Sequence, residues 1–157
     1  MAIERVKAYF KTCGMEDAVV EFDVSSATVE LAASALGCEP KRIAKTLSFY
    51  DEEGVLLVVA AGDAKIDNQK FKNYFGFKAK MLKAEEVEPL VGHGIGGVCP
   101  FALNHNVKVF LDTSLRRFQT VFPAAGSANS AIELDLKALE EHAKALAWID
   151  VCKEWNV

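Results

Sequence analysis

Hydrophobic positions along the chain repeat with two different periods, and each period marks a different kind of element. Near the start, Ile3, Val6, Phe10 and Cys13 recur at the spacing of one helix face, and Gly14 follows as a stop signal. Similar spacings, with polar capping residues before them or glycines after them, occur further along the chain. The sequence therefore predicts helices over residues 3–13, 29–36, 68–75, 83–91 and 136–146, with a short helical turn at Pro40.

A hairpin is the strongest strand signal. Residues 44–50 and 55–61 flank the polar turn 51–54, and the second of these segments is apolar at every position. Such a segment is typical of a strand in the centre of a sheet. Because helices and strands interleave and no linker or repeat divides them, we expect a single-domain α/β fold with a mixed β-sheet over residues 1–157. Further strands are predicted over residues 18–22, 107–111, 118–122, 131–134 and 147–152.

The most site-like feature is the loop 92–101, which holds four glycines and one proline in ten residues. Glycine allows positive φ and close approach to a ligand, so such a loop can present N–H groups to an oxygen-rich substrate. The loop has neither the Gly-Lys-Ser/Thr of a Walker motif nor the spacing of a dinucleotide-binding fingerprint. His93 lies within it, where an imidazole either takes part in catalysis or only hydrogen-bonds the loop.

Lys45 stands out by its position in the first hairpin strand. Alternation places its side chain on the same face as Leu47 and Phe49, which are predicted to face the core. One explanation is that the lysine runs its methylenes along apolar surface and sends its ammonium group to water. The other is that it lines a cleft, where its charge holds a phosphate or a developing negative charge.

Three further positions carry side chains suited to a site. Asp63 and Asp112 follow strands, where a carboxylate either orients a substrate or caps a turn. The small residues at 124–127 form a corner where another backbone or a ligand can come close. Ser127 ends that corner without an evident base beside it, so little favours it as a nucleophile.

Charge is distributed unevenly, although the net charge is only −4. Six lysines and one acid, Asp67, fall between Lys65 and Lys83, whereas the segment 16–30 has five acids and no base. The lysines form either a solvated face or a surface for phosphates. The overall acidity argues against indiscriminate nucleic-acid binding, so no DNA partner is expected.

The composition bears on where in the cell the protein is expected and on whether it binds a metal. No apolar run is long enough to span a membrane, and the first five residues do not resemble a secretory signal, so we expect a cytoplasmic protein without a membrane partner. The four cysteines are scattered without a C-x-x-C pair, and the three histidines do not lie at ligand spacing from them. Reduced thiols are therefore expected, and no metal site.

Short motifs follow one another in a specific order along most of the chain. They are Thr28 with Ala32-Ala33 and Leu36-Gly37, Ile43-Ala44-Lys45-Thr46-Leu47, Gly62-Asp63, Gly92 with Gly96-Gly97-Val98-Cys99-Pro100-Phe101, Asp112, and Gly126 before Ile132-Glu133-Leu134. Each fragment is short, but their order and spacing together are specific. In this order they resemble the YbaK and prolyl-tRNA synthetase editing-domain superfamily, small deacylases that remove a wrongly attached amino acid from tRNA.

This resemblance implies a partly barrel-like mixed sheet flanked by helices, and a site that binds the aminoacylated 3′ end of tRNA. It implies that Lys45 engages the phosphate near the terminal adenosine, while the backbone at Gly96 and Gly97 polarises the ester carbonyl. These three are the predicted catalytic residues. The predicted substrate-binding residues are Thr28, Thr46, Gly92, His93, Pro100, Phe101, Asp112, Gly126 and Ser127.

The reaction implied by the resemblance is hydrolysis of a mischarged tRNA by a free-standing enzyme without cofactor or metal, assisted by a substrate group such as a ribose hydroxyl. We expect tRNA for proline as the substrate and prolyl-tRNA synthetase as a candidate partner. Segment 127–131 has no acid where some thiol-dependent relatives carry one, which argues against cysteine as the amino acid removed and leaves serine, threonine, alanine or a non-protein amino acid. Two alternatives stay open, a non-catalytic module that binds tRNA or a synthetase, and a hydrolase of another small acyl or nucleotide ester.

Overall fold

The computed structural model describes residues 2–155; Met1, Asn156 and Val157, which the single-unit prediction includes, lie outside the described residues. Helices and strands interleave around a mixed sheet, so the predicted α/β class is confirmed. The strands are β1 (Val19–Glu21), β2 (Ile43–Tyr50), β3 (Val55–Ala61), β4 (Lys65–Ile66), β5 (Val107–Asp112), β6 (Thr120–Pro123), β7 (Ser130–Ile132), β8 (Leu134–Asp135), β9 (Ala147–Ile149) and β10 (Cys152–Lys153).

The helices are short, and three of them begin directly after a predicted capping side chain, Thr28, Asp67 or Asp135. The Thr28 hydroxyl accepts a hydrogen bond from the N–H of Leu31 at the start of the second helix, and Gly37 ends that helix in the left-handed region. Within the described part of the chain, no helix is long and apolar enough to cross a bilayer. The helices are α1 (Ala2–Thr12), α2 (Val29–Leu36), α3 (Asn68–Phe75), α4 (Ala84–Val91) and α5 (Leu136–Ala143).

Six strands form the main sheet in the order β8-β6-β2-β3-β5-β9. β2 and β3 pair antiparallel as the predicted hairpin, and β3 pairs in parallel with β5 on its other edge. All seven residues of β3 are buried, as its uniformly apolar sequence predicts. The sheet curls into half a barrel, which agrees with the partly barrel-like expectation. Two smaller pairs, β1 with β7 and β4 with β10, complete the strand pairing among residues 2–155.

Aromatic pairs fix the helices that matter for the site. Phe10 of α1 packs edge-on against Phe101 of the glycine loop, with ring centroids 5.1 Å apart, and Phe71 of α3 packs on Phe49 of β2 at 4.9 Å. All four rings are buried. Burial of one such side chain contributes about 1.5–3 kcal/mol, so both the loop and the strand that carries Lys45 are firmly held.

Some boundaries differ from the prediction where the backbone turns. The last helix ends at Ala143, because Lys144 takes a left-handed conformation with a φ of 53°. Leu146, predicted to lie on the buried stripe of that helix, is instead exposed. The strand predicted over 118–122 begins later, since the 3-10 helix Thr113–Arg117 and a connecting residue pair come before it.

Two predicted strands are each divided in two. Residues 131–134 form parts of β7 and β8, which pair with β1 and β6 respectively, so the chain changes sheet between them. Residues 147–152 form β9 and the start of β10, separated by Asp150 and Val151; the N–H of Val151 donates to the buried Asp112 carboxylate at 3.0 Å. The two-residue strand β4 carries no periodic signal and is not predicted by the sequence.

Candidate active site

A cavity of about 470 Å³ opens between the main sheet and the first turn of α2. Its volume falls within the range of about 300–1,000 Å³ that is usual for small-molecule sites. Its walls are β2, the start of α2, the segment 81–87, the turn at 95–98 and the corner between β6 and β7. Of the described residues that line it, only Lys45 is ionisable. The polar side chains in its lining are Ser26, Thr28, Lys45, Thr46, Ser48 and Ser130.

The cavity lies at a gap in the pairing of β2. On the edge away from β3, β6 pairs with the start of β2, and the segment 80–82 is bonded to its end through Ser48 and Tyr50 at 3.2 and 2.9 Å. Between them, residues 45–47 have no strand partner on that edge within the described part of the chain. Alternate residues of a strand point their main-chain groups to the same edge, so those of Thr46 face the gap.

Lys45 lies at the start of this gap and lines the cavity. Its Nζ donates to the carbonyl oxygens of Gly62, at 3.4 Å, and of Ala64, so two of its three N–H donors have partners. Burial lowers the pKa of the Lys45 ammonium, and the neighbouring Cys152 and Asp63 oppose that effect. An anion that enters the cavity therefore meets a cation that is held in place and poorly hydrated.

The glycine loop reaches the cavity as a tight turn. The N–H of Gly97 donates to the carbonyl of Gly94 at 3.0 Å, and Gly96, the third residue of that turn, has the positive φ of 90° that a type II turn requires. Gly96 lines the cavity beside the exposed Ile95. The N–H of Gly97 closes the turn, whereas the N–H groups of Ile95, Gly96 and Val98, which also line the cavity, have no hydrogen-bond partner among residues 2–155.

Gly97 supports this turn by close packing. A Cβ at Gly97 would lie 2.7 Å from both the N and the Cα of Ser127, so the two backbones are in direct contact. Gly126 packs in the same way against the start of α1, where a Cβ would come within 3.0 Å of backbone atoms. The hydroxyl of Ser127 is paired with that of Ser130 at 2.7 Å. Gly97, Gly126 and Ser127 thus join the loop to the β6–β7 corner behind the cavity.

The rest of the loop is held from the interior. His93 is fully buried, and its Nε2 donates to the Phe101 carbonyl at 2.6 Å, so Nε2 carries the proton. Burial lowers the pKa of His93, outweighing the opposite effect of that carbonyl, and the ring is neutral. Gly92 ends α4 and accepts a hydrogen bond from Arg5, while Pro100 is buried beside Phe101. These four predicted substrate-binding residues anchor the loop and do not line the cavity.

Both strand-end aspartates lie outside the lining of the cavity. Asp112 is fully buried and accepts hydrogen bonds from the N–H groups of Ser114 and Val151 at 2.9 and 3.0 Å. Asp63 contacts Arg117 through both carboxylate oxygens, at 2.6 and 3.0 Å. Burial alone would raise the pKa of Asp63, but the hydrogen bonds and charge of Arg117 outweigh it and lower that pKa. Asp63 lies between Gly62 and Ala64, whose carbonyls hold the lysine ammonium, and Asp112 ties the start of the 3-10 helix 113–117 to the segment before β10.

The lysine-rich segment 65–83 leads into the rim of the cavity. The residues on either side of Lys78 are partly buried against the core, so the chain points Lys78 and Lys80 outward. Lys83 is exposed directly before α4. Among residues 2–155, no ion pair is made by Lys78 or Lys83, whereas Lys70 contacts Asp150 at 3.1 Å.

Thiol groups lie away from the cavity lining. The four cysteines are free thiols, and burial raises the pKa of Cys99 to about 12. A thiol of this kind stays protonated at neutral pH and is a poor nucleophile. Within the described range, no three His, Cys, Asp or Glu side chains converge as the ligands of a metal ion would.

Sequence reasoning missed part of the cavity. Ser26, Met81 and Ser130 line it, but only Ser26 had a signal, as part of a run of small polar residues before the α2 cap. The other two come from distant segments that only the folded chain brings together. The predicted site residues that do meet on the cavity are Thr28, Lys45, Thr46 and Gly96.

The family model of the aminoacyl-tRNA editing domain matches residues 23–142. This chain therefore belongs to the aminoacyl-tRNA editing-domain family, which confirms the resemblance seen in its motifs. The matched range contains every residue that lines the cavity.

Individual relatives cover most of the chain. It is similar to YwhH of Bacillus subtilis, an uncharacterised protein, with 56% identity over 157 residues that cover 99% of this chain and 100% of the relative. It is 27% identical over 114 residues to EbsC of Enterococcus faecalis, a candidate Cys-tRNA(Pro)/Cys-tRNA(Cys) deacylase, with 71% of this chain and 70% of that one covered. A solved structure described as a candidate trans-editing enzyme for prolyl tRNA synthetase matches with a TM-score of 0.86, 30% identity and 97% coverage of each chain.

The buried His93 predicts a loss of stability in acid. Its pKa in the folded protein lies below the ordinary 6.5, so the unfolded chain binds a proton that the folded chain excludes as the pH falls through that value. The stability that comes from the neutral ring is present above the unfolded pKa and is lost as the pH falls towards the folded one.

Urea unfolding midpoints between about pH 7 and pH 5 test this expectation. His93→Gln keeps a donor for the Phe101 carbonyl but does not titrate, so its midpoint should fall less steeply than that of the unchanged protein. Equal slopes for the two proteins would contradict a buried neutral imidazole at this position.

Proposed function

We propose that this protein is a free-standing cytoplasmic enzyme that hydrolyses the ester bond of a mischarged tRNA, with tRNA for proline as the tRNA. One arrangement supports the proposal most, since Lys45, the turn at Gly96 and the gap in β2 share one cavity. The family supplies the reaction class. The assignment to proline rests on EbsC and on the trans-editing structure, whose descriptions name Cys-tRNA(Pro) and prolyl tRNA synthetase.

Lys45 supplies the positive charge for the nucleotide end of the substrate. Two of its N–H donors are held by the carbonyls of Gly62 and Ala64, which leaves the third for a phosphate oxygen. In the buried setting a charge-assisted hydrogen bond of this kind is stronger than the same bond in water. The phosphate next to the terminal adenosine is the group proposed to take this position.

The turn at residues 94–97 supplies donors for the ester carbonyl. The N–H groups of Gly96 and Val98 have no hydrogen-bond partner among residues 2–155, and both residues line the cavity. Main-chain donors that are fixed before the substrate arrives stabilise the oxyanion of a tetrahedral intermediate without reorganisation. Gly97 contributes indirectly, because its N–H and its contact with Ser127 hold the turn in shape.

Activation of the water must then come largely from the substrate. No carboxylate or imidazole lines the cavity, and the described lining offers only hydroxyls beside the lysine. A ribose hydroxyl next to the ester lies close enough in any aminoacyl-tRNA to hydrogen-bond the attacking water, and it can take a proton from that water while it passes its own proton to the leaving ester oxygen. Without a protein base, we infer that catalysis depends on binding geometry and on oxyanion stabilisation.

The same observation favours one alternative function. A cavity without a general base also suits a non-catalytic module that binds the aminoacylated end of tRNA or a synthetase. Tight binding of aminoacylated tRNA without release of the amino acid would decide for this alternative.

The lysine-rich segment is the proposed contact for the tRNA acceptor stem. Its one acid, Asp67, is used as the cap of α3, where it accepts hydrogen bonds from Gln69 and Lys70. The exposed Lys78 and Lys83 flank a segment that is bonded to β2 at the cavity. A stem that continues from a 3′ end in the cavity would pass its phosphates along this rim.

Deacylation of mischarged tRNA is the direct test of the proposal. Transcripts of tRNA for proline carrying labelled cysteine, alanine, serine or threonine are incubated with the protein, and release of the amino acid is followed. Lys45→Met keeps most of the side-chain volume but removes the charge, and should lower kcat/KM by about 100-fold, as loss of a fixed electrostatic group does. The matched control Lys137→Met, on the exposed face of α5, should retain full activity.

Release of no amino acid above the buffer rate would overturn the enzymatic proposal. A Lys45→Met rate equal to that of the unchanged protein would remove this lysine from the mechanism. Thermal melting of both variants separates an effect on the site from a loss of folding.

A pair of glycine substitutions tests the turn. Gly97→Ala places a Cβ 2.7 Å from the Ser127 backbone and must displace the turn, whereas the nearest neighbour of a Cβ at Gly94 is Glu88 Oε1 at 3.4 Å. Misplacement of reacting groups by about 1 Å costs roughly 100-fold in rate, so kcat should fall to that extent in Gly97→Ala. Gly94→Ala should stay within a few-fold, and equal rates for the two variants would argue against a catalytic turn.

Charge reversal at the rim tests the tRNA contact. The double variant Lys78→Glu/Lys83→Glu should lower kcat/KM for full-length tRNA by about tenfold or more and weaken its salt dependence. The control is the double variant Lys11→Glu/Lys137→Glu, which makes the same charge change at exposed positions of α1 and α5 and should leave kcat/KM for tRNA unchanged. Hydrolysis of an aminoacylated CCA trinucleotide, which lacks the stem, should not change. Equal losses on both substrates would place the effect in the cavity instead of on the stem.

A further inference from the structure

Two hydroxyl groups of the cavity lining lack a hydrogen-bond partner. The buried side-chain oxygens of Ser26 and Thr46 have none among the described residues. The hydroxyl of Thr28 accepts from the Leu31 N–H and that of Ser130 is paired with Ser127, whereas Ser48 makes no side-chain hydrogen bond among the described residues. What distinguishes Ser26 and Thr46 in this lining is that their oxygens are both buried and unpaired.

Both residues are fixed by their backbones. The N–H of Ser26 donates to the Ala128 carbonyl at 2.7 Å, which ties it to the β6–β7 corner, and only 7% of the residue is exposed. Thr46 lies in the β2 gap, paired in register with Val59 of the fully buried β3. Their hydroxyls can rotate, but their positions cannot follow a poorly matched ligand.

The surroundings of these hydroxyls select a neutral polar group. Most of the remaining lining is apolar, for example Val29, Ala32 and Phe122. The two oxygens are buried without a partner, which is unfavourable, so a ligand group that hydrogen-bonds to them is favoured over one that does not. A single hydroxyl does this, because it can donate to one oxygen and accept from the other, whereas a methyl group does neither and a thiol does so only weakly.

We propose that Ser26 and Thr46 recognise the side-chain hydroxyl of the amino acid on the ester, so that the substrates are tRNAs mischarged with a small hydroxylated amino acid. This inference rests on the proposed deacylase function and names the acyl group that the same cavity takes. Sites that hydrogen-bond a substrate hydroxyl reject the analogue that lacks it far more strongly than apolar pockets reject a missing methylene.

The test compares two esters that differ by one hydroxyl. The same tRNA transcript is charged with serine or with alanine, and kcat/KM is measured for each under the same conditions. The unchanged protein should prefer the seryl ester by at least tenfold. Ser26→Ala and the nearly isosteric Thr46→Val should each reduce that preference about tenfold by slowing release of serine, the effect of one lost hydrogen bond.

Two further variants keep the test specific. Thr46→Ser removes the methyl group but retains the hydroxyl, and it should keep the preference for serine. If Thr46 acted only through packing of its methyl group, this variant would lose the preference. Ser34→Ala, at an exposed position of α2, is the matched serine control and should behave as the unchanged protein. Melting temperatures exclude variants that fail to fold.

Each outcome decides one question. Equal hydrolysis of seryl and alanyl esters by the unchanged protein would overturn the inference. So would equal losses on both esters in Ser26→Ala and Thr46→Val, which would mean that these two hydroxyls bind the α-amino group or the ribose of the substrate. In both cases the deacylase function would stand. Release of cysteine but of neither serine nor alanine would also overturn the inference alone, whereas release of none of the four amino acids tested above would overturn the proposed function itself.

Discussion

The divided pairing of β2 is the constraint on which the site depends. One edge of this strand is bonded to β6 at its start and to the segment 80–82 at its end, and residues 45–47 between them have no strand partner within the described range. The other edge is paired with β3 along its whole length, so the gap cannot close by movement of β2. A sheet edge left open in this way presents polar main-chain groups to a cavity whose lining is mostly apolar, beside Lys45.

The opposite wall is positioned by residues that never reach the cavity. Direct backbone contact between Gly97 and Ser127, and the bond from His93 to the Phe101 carbonyl, hold the turn that carries Gly96. Packing of Phe10 against Phe101 connects this loop to α1. The glycines and the buried histidine therefore act by fixing the shape of the turn. This explains why the glycine-loop motif includes residues that do not line the cavity.

Local signals predicted the elements well and the site only in part. Capping residues and apolar periodicity located the helices and the β2–β3 hairpin, because those features act over neighbouring positions. The alternation of β2 singled out Lys45 before any partner was visible. The cavity also needs Met81 and Ser130, which come from segments far apart in the chain and carry no local signal. Asp112 is a residue that the sequence assigned to the site but that lies outside it. A carboxylate at a strand end can bind a ligand or accept hydrogen bonds from nearby main-chain N–H groups, and Asp112 does the second with Ser114 and Val151.

The buried charge of Lys45 affects which esters the cavity binds well. Burial disfavours the charged form of Lys45, and the neighbouring Asp63, which lies outside the described lining of the cavity, offsets that effect only in part. An anionic group bound beside the ammonium would restore that form, so binding of an anion and protonation of Lys45 support each other. A neutral small ester offers no such compensation and leaves the ammonium poorly solvated. If the proposed function holds, the charge of this cavity therefore favours an ester attached to a nucleotide over a neutral small ester.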